Sequence, residues 1–355
     1  MSQFIQLHLL TAYPPANLNR DDQGRPKTAK MGGTDRLRVS SQSLKRTWRT
    51  SDLFAELAKG GHVGTRTKLL GVTAFNDLIA KGIKEKDALK WAEQIAAVFG
   101  KCKKKDAKKP HQELEIEQLV HISPTEQQLI DDLVAVLANE QREPEKEELT
   151  LLRQTEQAVD IALFGRMLAN HAANNVEAAC QVAHAISVHP VLIEDDYFTA
   201  VDDLNQNKDD AGAAHIGEAA FAAGLFYSYL CINKTALINT LDGNKALADQ
   251  AICALTEAAI KVAPKGKQNS YGSRAYASYV LAEMGEQQPR TLSAAFLKAI
   301  DSRTSDDYAK DAIAALVAQY QAFDAVYGQC AETRCEINVI ERTGSMDKLL
   351  AFVSE

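Results

Sequence analysis

Residues 65–187 carry helical patterning almost throughout, while strand-like segments stand on both sides of them, and that order constrains the fold most. Apolar residues recur at three-to-four spacing in TKLLGVTAFNDLIA and EQQLIDDLVAVLANE, with Pro110, Pro124 and Pro144 as punctuation. No strand signal of any strength interrupts them. Before this block, FIQLHLLTAY reads as a buried strand over about 3–13, with Ile5, Leu7 and Leu9 on one side and Gln6 and His8 on the other. A polar, glycine-containing loop, NLNRDDQGRPKTAKMGG, follows. Next, a short strand (Arg36 to Val39) runs into a helix that starts near Ser40 or Ser41 and extends to about 56, both serines being good N-cap residues.

After the block, residues 190–224 hold short β-prone pieces around a polar centre and read as a long protruding hairpin. LFYSYLCIN is a core strand, 244–262 a helix, and AYASYVLA another strand after the basic glycine loop PKGKQNSYGSR. Helices are expected near 290–302 and 306–326, then a weak strand and a last helix. The economical solution is an α+β fold, a small sheet domain split by insertions.

Charge adds a second constraint. The chain carries -7 overall, yet Arg36 to Arg49 holds five cations and no acid. With Lys45, Arg46 and Arg49 in the first turns of the expected helix and Asp52 toward its far end, the order opposes the helix dipole. An anion over the helix start would neutralise it, and helix N-termini bind phosphates. A second island, KCKKKDAKK at 101–109, sets six lysines against Asp106. Acidic totals argue against nucleic-acid binding, but a phosphate senses only charge within a Debye length of roughly 8 Å. The segregated charge points to a polyanionic partner.

Other classes recede. Hydrophobic content of 46% with 25% charged residues is ordinary for a soluble protein, and no stretch is long enough to span a bilayer. The N-terminal apolar segment is short, interrupted and without a basic lead, so it is not read as a signal peptide. Six cysteines without a CxxC pair read as free thiols of a cytoplasmic protein. Asp195, Asp196, Asp202 and Asp203, with His184, His189 and His215, lack any recognised ligand spacing, so neither metal nor cofactor is expected. GKQNS at 266–270 is not a P-loop; Lys267 and Gln268, with Lys265 and Arg274, either touch a backbone phosphate or form a solvated turn. Met167, after the helix VDIALF, and Phe198 are either packing residues or wedges between bases.

LNRDD (18–22), GG (32–33), RLRVSSQSLKR (36–46), AVDIALFGRM (158–167), AHAI (183–186), YFTAVDDL (197–204), AHIG (214–217) and LFYSYLCIN (225–233) resemble, in order, the CasC family, the backbone subunit of the type I-E CRISPR Cascade complex. The resemblance is weak over about 60–150 and in the final hundred residues. It implies an RRM-like (ferredoxin-like) palm over 1–60 and 225–355, the second part including C-terminal helices, with helical fingers at 61–187 and a thumb hairpin at 188–224. It further implies a non-catalytic protein that polymerises along CRISPR RNA beside other Cascade subunits and presents the guide to target DNA in antiviral defence. Asn19, Arg20, Arg38, Ser40, Ser41, Gln42, Lys45, Arg46 and Arg49 fall on the guide-phosphate motif, Lys27 more weakly. Met167, Phe198, Thr199 and Ile216 fall on the wedge and thumb positions that kink the strand. The RNP1 aromatic pattern is missing, so stacking on sheet aromatics is not expected. The family's fingers meet DNA through lysines; the region after Thr125 is mostly acidic, and Lys103, Lys104 and Lys105 are the replacements suggested. The rival reading is a type III-like backbone subunit that cuts target RNA with a loop aspartate, Asp22 or Asp35.

Overall fold

The structure, a computed structural model, describes residues 2–153, 158–168, 171–200, 215–301, 303 and 305–355, with side chains left out at 58, 200, 215 and 216. In chain order the elements begin with β1 (Phe4–Ala16), β2 (Thr28–Met31), β3 (Thr34–Val39), α1 (Ser41–Arg49) and α2 (Asp52–Lys59). Then come β4 (Thr65–Thr67), α3 (Leu70–Ala80), α4 (Glu85–Phe99), β5 (Val120–Ile122), α5 (Pro124–Glu140) and α6 (Val159–Phe164). Next stand β6 (Cys180–Val182), β7 (Ala185–Ser187), β8 (Glu194–Ala200), β9 (His215–Asn233), α7 (Lys234–Thr240) and α8 (Lys245–Lys261). The last are α9 (Gln268–Tyr271), β10 (Tyr279–Gly285), α10 (Tyr308–Tyr327), β11 (Thr333–Asn338) and α11 (Met346–Ser354). The chain divides into two compact units, 1–53 with 182–231 and 252–355, and 54–181 with 232–251.

The first unit is built on a sheet ordered β11-β10-β1-β9-β7-β3-β2, and β8 pairs with the outer part of β9. The β1–β10, β10–β11, β2–β3, β3–β7, β7–β9 and β8–β9 pairs are antiparallel. β1 is buried on both faces, which its alternation alone did not require. Ile5, Leu7 and Leu9 are fully buried, and so is His8 on the opposite side. There His8 Nε2 meets Glu283 Oε2 at 3.2 Å, and Glu283 also binds Arg290 and Arg334 at 2.6 and 2.8 Å. Leu10, Tyr227, Tyr279 and Leu281 pack on this face with Phe296 and with Ala312 and Leu316 of α10. The sheet face is therefore closed by the protein's own core, and a ligand must be met elsewhere.

The second unit centres on a cluster from α3, α4 and α5, including Leu78, Trp91, Ile95, Phe99, Leu133 and Leu137. α5 starts with a full capping box between Ser123 and Glu126, with Pro124 in its first turn. Glu126 is buried and ion-paired with Arg166 at 2.6 Å. Arg166 also donates to the carbonyls of His121 and Arg153 at 3.3 and 3.1 Å.

Several expectations need correction. Strands do occur inside the helical block: β4 pairs with β5, and β6 and β7 close it. Three residues are too few to show alternation. The helix expected to run from Ser41 to about 56 is two helices. Thr50 Oγ1 donates to Arg46 O at 2.8 Å and Ser51 Oγ to Trp48 O at 2.6 Å, so hydroxyls take up the last carbonyls and stop α1. Among the described residues near 290–302 only a short turn forms, Ser293–Phe296; buried Leu292 and Phe296 keep helical spacing but serve that single turn. The core strand expected at LFYSYLCIN is the end of a 19-residue strand that also forms the hairpin with β8.

Candidate nucleic-acid interface

The start of α1 is capped by protein. Ser40 is the N-cap and accepts from Ser43 N at 3.3 Å. Asn19 Oδ1 accepts from Ser40 N at 2.9 Å, and His184 Nδ1 accepts from Ser41 N at 3.0 Å. Partial burial, with Arg38 and Lys27 nearby, lowers the His184 pKa, which keeps the ring neutral and Nδ1 free to accept. The expectation of a phosphate on these amides is overturned at Ser41 and Ser43, whose N–H groups already have acceptors. The inverted charge order also disappears. Because α1 ends at Arg49, Arg46 and Arg49 lie in its last turn, where cations suit the dipole, and Asp52 opens α2. Arg36 is fully buried, its guanidinium donating to Ser187 O at 2.9 Å and Phe296 O at 3.0 Å. It holds the fold together and is closed to a ligand.

What remains is a surface made by side chains. Leu44, Thr47 and Trp48 are the buried positions of α1. At about 100° per residue, Gln42, Lys45, Arg46 and Arg49 share the opposite arc. Arg46 also lines a cleft of about 520 Å³ with Asn19, Arg20, Asp22, Ser43 and Lys265. A second cleft, of about 670 Å³, shares Thr50 and Lys265 with the first and adds Lys261, Lys267, Gln268 and Arg274. Lys265 Nζ donates to Thr50 O at 3.3 Å, at the junction of the two. Gly266 makes this approach possible, since a Cβ there would stand 2.2 Å from Leu18 O. The fold thus joins two basic segments more than two hundred residues apart into one track. Sequence reasoning had named Lys265, Lys267, Gln268 and Arg274 without placing them beside Arg46. It missed His184 as a cap, and Lys261 and Tyr276 as cleft residues; their signal was proximity to the basic glycine loop.

The loop carrying Asn19 and Arg20 is tied to the hairpin. Asn17 Nδ2 donates to Gly24 O and to Ala220 O at 2.9 and 2.8 Å, and Arg25 pairs with Asp195 at 2.9 Å. Asp195 and Ala220 face each other in the β8–β9 register. Lys27 N donates to Asn19 O at 2.8 Å, while Arg38 Nε donates to Thr28 O at 3.3 Å with its Nη1 3.5 Å from His184 Nδ1. Both lie beside the capped junction and neither lines the two larger clefts.

Farther along the hairpin, Phe198 stands opposite Gly217, where a Cβ would meet the ring at 2.3 Å. The glycine leaves room for the aromatic across the strand. Thr199 is exposed and opposite Ile216, whose side chain lies outside the described residues, as do Asp202 and Asp203. In the other unit Met167 is 79% exposed between buried Arg166 and Leu168, so a fixed backbone presents it.

The lysine run at 101–109 is not a loose loop. Lys103 N donates to Glu115 O and Glu117 N to Lys101 O, both at 2.8 Å. Lys101, Lys103 and Lys105 then face Glu117, Glu115 and Glu113 at 3.0, 2.5 and 3.9 Å. The Lys103 hydrogen bond leads the effects that lower the Glu115 pKa. Asp22 is exposed on the first cleft, whereas Asp35 pairs with Lys30 at 3.5 Å. Among the described residues no group of three or more His, Cys, Asp or Glu is arranged to hold a metal ion, and no helix is long and apolar enough to cross a membrane.

A sequence comparison with curated proteins finds no match. Among solved structures, a chain of a CRISPR RNA-guided surveillance complex, pre-nicking, is similar at TM-score 0.82 and 28% identity, covering 99% of this chain and 100% of that one. A chain of a second CRISPR RNA-guided surveillance complex matches at TM-score 0.60 and 24% identity, covering 98% and 99%, which bears on the fold alone. The family model of the CT1975-like protein matches residues 5–349. With nearly its whole length matched, and with the motifs quoted above, the chain belongs to the CT1975-like protein family.

Proposed function

We propose that this protein is a CRISPR RNA-binding backbone subunit of a type I-E Cascade surveillance complex. In this reading 1–60 and 225–355 form an RRM-like palm, 61–187 the fingers and 188–224 the thumb. Copies polymerise along the guide in the cytoplasm beside other Cascade subunits and present it to target DNA. The observation that carries the reading is the track from Arg20 and Arg46 through Lys265 to Lys267 and Arg274. Side chains drawn from α1, the β1–β2 loop and the 265–274 segment suit a sugar–phosphate backbone, whose charges repeat whatever the bases are. Gln42, Lys45 and Arg49 extend the track, Met167 and Phe198 serve as wedges, and Lys104 is the member of the 103–105 run with no glutamate in the ladder. The protein is proposed to be non-catalytic, and the similarity to a surveillance-complex chain at 28% identity supports the assignment.

Expression with a CRISPR array, purification and sequencing of co-purified RNA tests the reading: array-derived RNA of uniform length is expected, and protein free of nucleic acid refutes it. Asp22, exposed on the first cleft, keeps a type III-like cleavage specific enough to test. Regularly spaced fragments from complementary RNA incubated with the loaded protein and magnesium would establish it in place of the non-catalytic role.

A further inference from the structure

Tyr276 is the one aromatic residue lining either basic cleft among the described residues, and it is 67% exposed. Its exposure does not come from a loose segment. The next residue, Ala277, is buried and donates its N–H to Ile260 O at 2.9 Å, and Ser278 N donates to Leu10 O at 2.8 Å. The backbone is pinned on one side of the ring, and Ser273 is fully buried on the other. Around it stand Lys261, Lys265, Lys267 and Arg274. Gln268 also lines this cleft, and its Oε1 accepts from Ser273 Oγ at 3.0 Å, which leaves Nε2 as the donor offered to a ligand. Asp52 tells against a surface made for phosphate alone, and it supplies an acceptor for an exocyclic amine.

We propose that Tyr276 is a stacking platform for one unpaired nucleobase of the bound strand, so that the second cleft holds a whole nucleotide. The inference rests on the RNA-binding reading and adds a base contact to its phosphate track. A cleft of about 670 Å³ lies within the usual range for small-ligand sites, roughly 300–1,000 Å³. Stacking tolerates every base, because each presents a π-face, so the contact fits a protein that takes guides of any sequence. Two of the sheet aromatics are unavailable for it: Tyr227 and Tyr279 lie in the core beneath α10.

The full chain, freed of nucleic acid, is titrated with single-stranded RNA of mixed sequence across a salt series, as wild type, Tyr276→Ala, Tyr276→Phe and Arg46→Ala with Lys265→Ala. Tyr276→Ala is expected to weaken binding about ten-fold, within the range for one lost stack. Tyr276→Phe keeps the ring and should restore the affinity. The salt slope should not change in either variant, because no phosphate contact is removed. Unchanged affinity in Tyr276→Ala, or equal loss in Tyr276→Phe, overturns the platform. So does altered self-association without a change in RNA affinity, which would give the ring to a second protein copy. If the Arg46/Lys265 variant still loses affinity and slope in those cases, only this inference fails; RNA binding by no form of the chain defeats it together with the reading beneath it.

Discussion

Two runs of equal formal charge, 36–49 and 101–109, meet opposite ends in this molecule. In the second, alternate lysines face Glu113, Glu115 and Glu117 across a two-segment ladder, and much of the charge is answered within the fold. In the first, one arginine goes into the core, and the solvent-facing arc of α1 joins Lys265 and Arg274 from a distant segment. Charge counted along a chain therefore says little about charge offered to a ligand. What decides is whether the opposing segment brings acids or further bases.

That contrast can be broken at its stronger side first. Arg46→Ala with Lys265→Ala should lower affinity for single-stranded RNA about ten-fold near physiological salt, equally for all sequences, and reduce the log–log salt slope by about 1.4 for two contacts. Filter-binding or anisotropy titrations across salt measure both, and a loss confined to certain sequences would speak against phosphate contacts. The weaker side can be converted. Glu113→Gln, Glu115→Gln and Glu117→Gln together should unmask Lys101, Lys103 and Lys105 and raise nonspecific DNA affinity several-fold, by order of magnitude, at low salt. No gain would mean that the lysines are unavailable for a reason other than their glutamates.

The smallest effect concerns the cap that distinguishes α1. His184 has a lowered pKa in the fold, so its contribution is complete above 6.5, the unperturbed value, and is lost as pH falls through the folded value. Protonation puts a hydrogen on Nδ1 and ends its acceptance from Ser41 N. Buried His8 and half-buried His189 are lowered too, burial being the leading cause in both, so the wild-type urea midpoint should fall below pH 6.5 for several reasons. His184→Gln isolates its share, expected under about 1 kcal/mol for one partly exposed hydrogen bond. An identical pH dependence in wild type and variant would remove His184 from the account.

Much of the fold outside the helical block was legible from residue patterns. The strand at β1, a serine cap at Ser40 or Ser41, a helix over about 244–262 and a hairpin within 190–224 all follow from local chemistry that a short window contains. The failures share a cause. Where α1 stops depends on two hydroxyls turning back on its carbonyls, and a serine or threonine can equally continue a helix. Arg36 reads as a surface cation until Ser187 and Phe296 bring their carbonyls to it from far along the chain. The short strands β4 and β5 exist because of each other. For the interface, the residue types were readable, but the meeting of Arg46 with Lys265 required the fold, since only tertiary packing sets Gly266 against Leu18.

Asn17 and Arg25 fasten the loop of Asn19 and Arg20 to a single rung of the hairpin, the one formed by Asp195 and Ala220. A change in strand pairing at that rung would therefore move the loop that carries Arg20 into the first cleft, because the same two side chains fasten both.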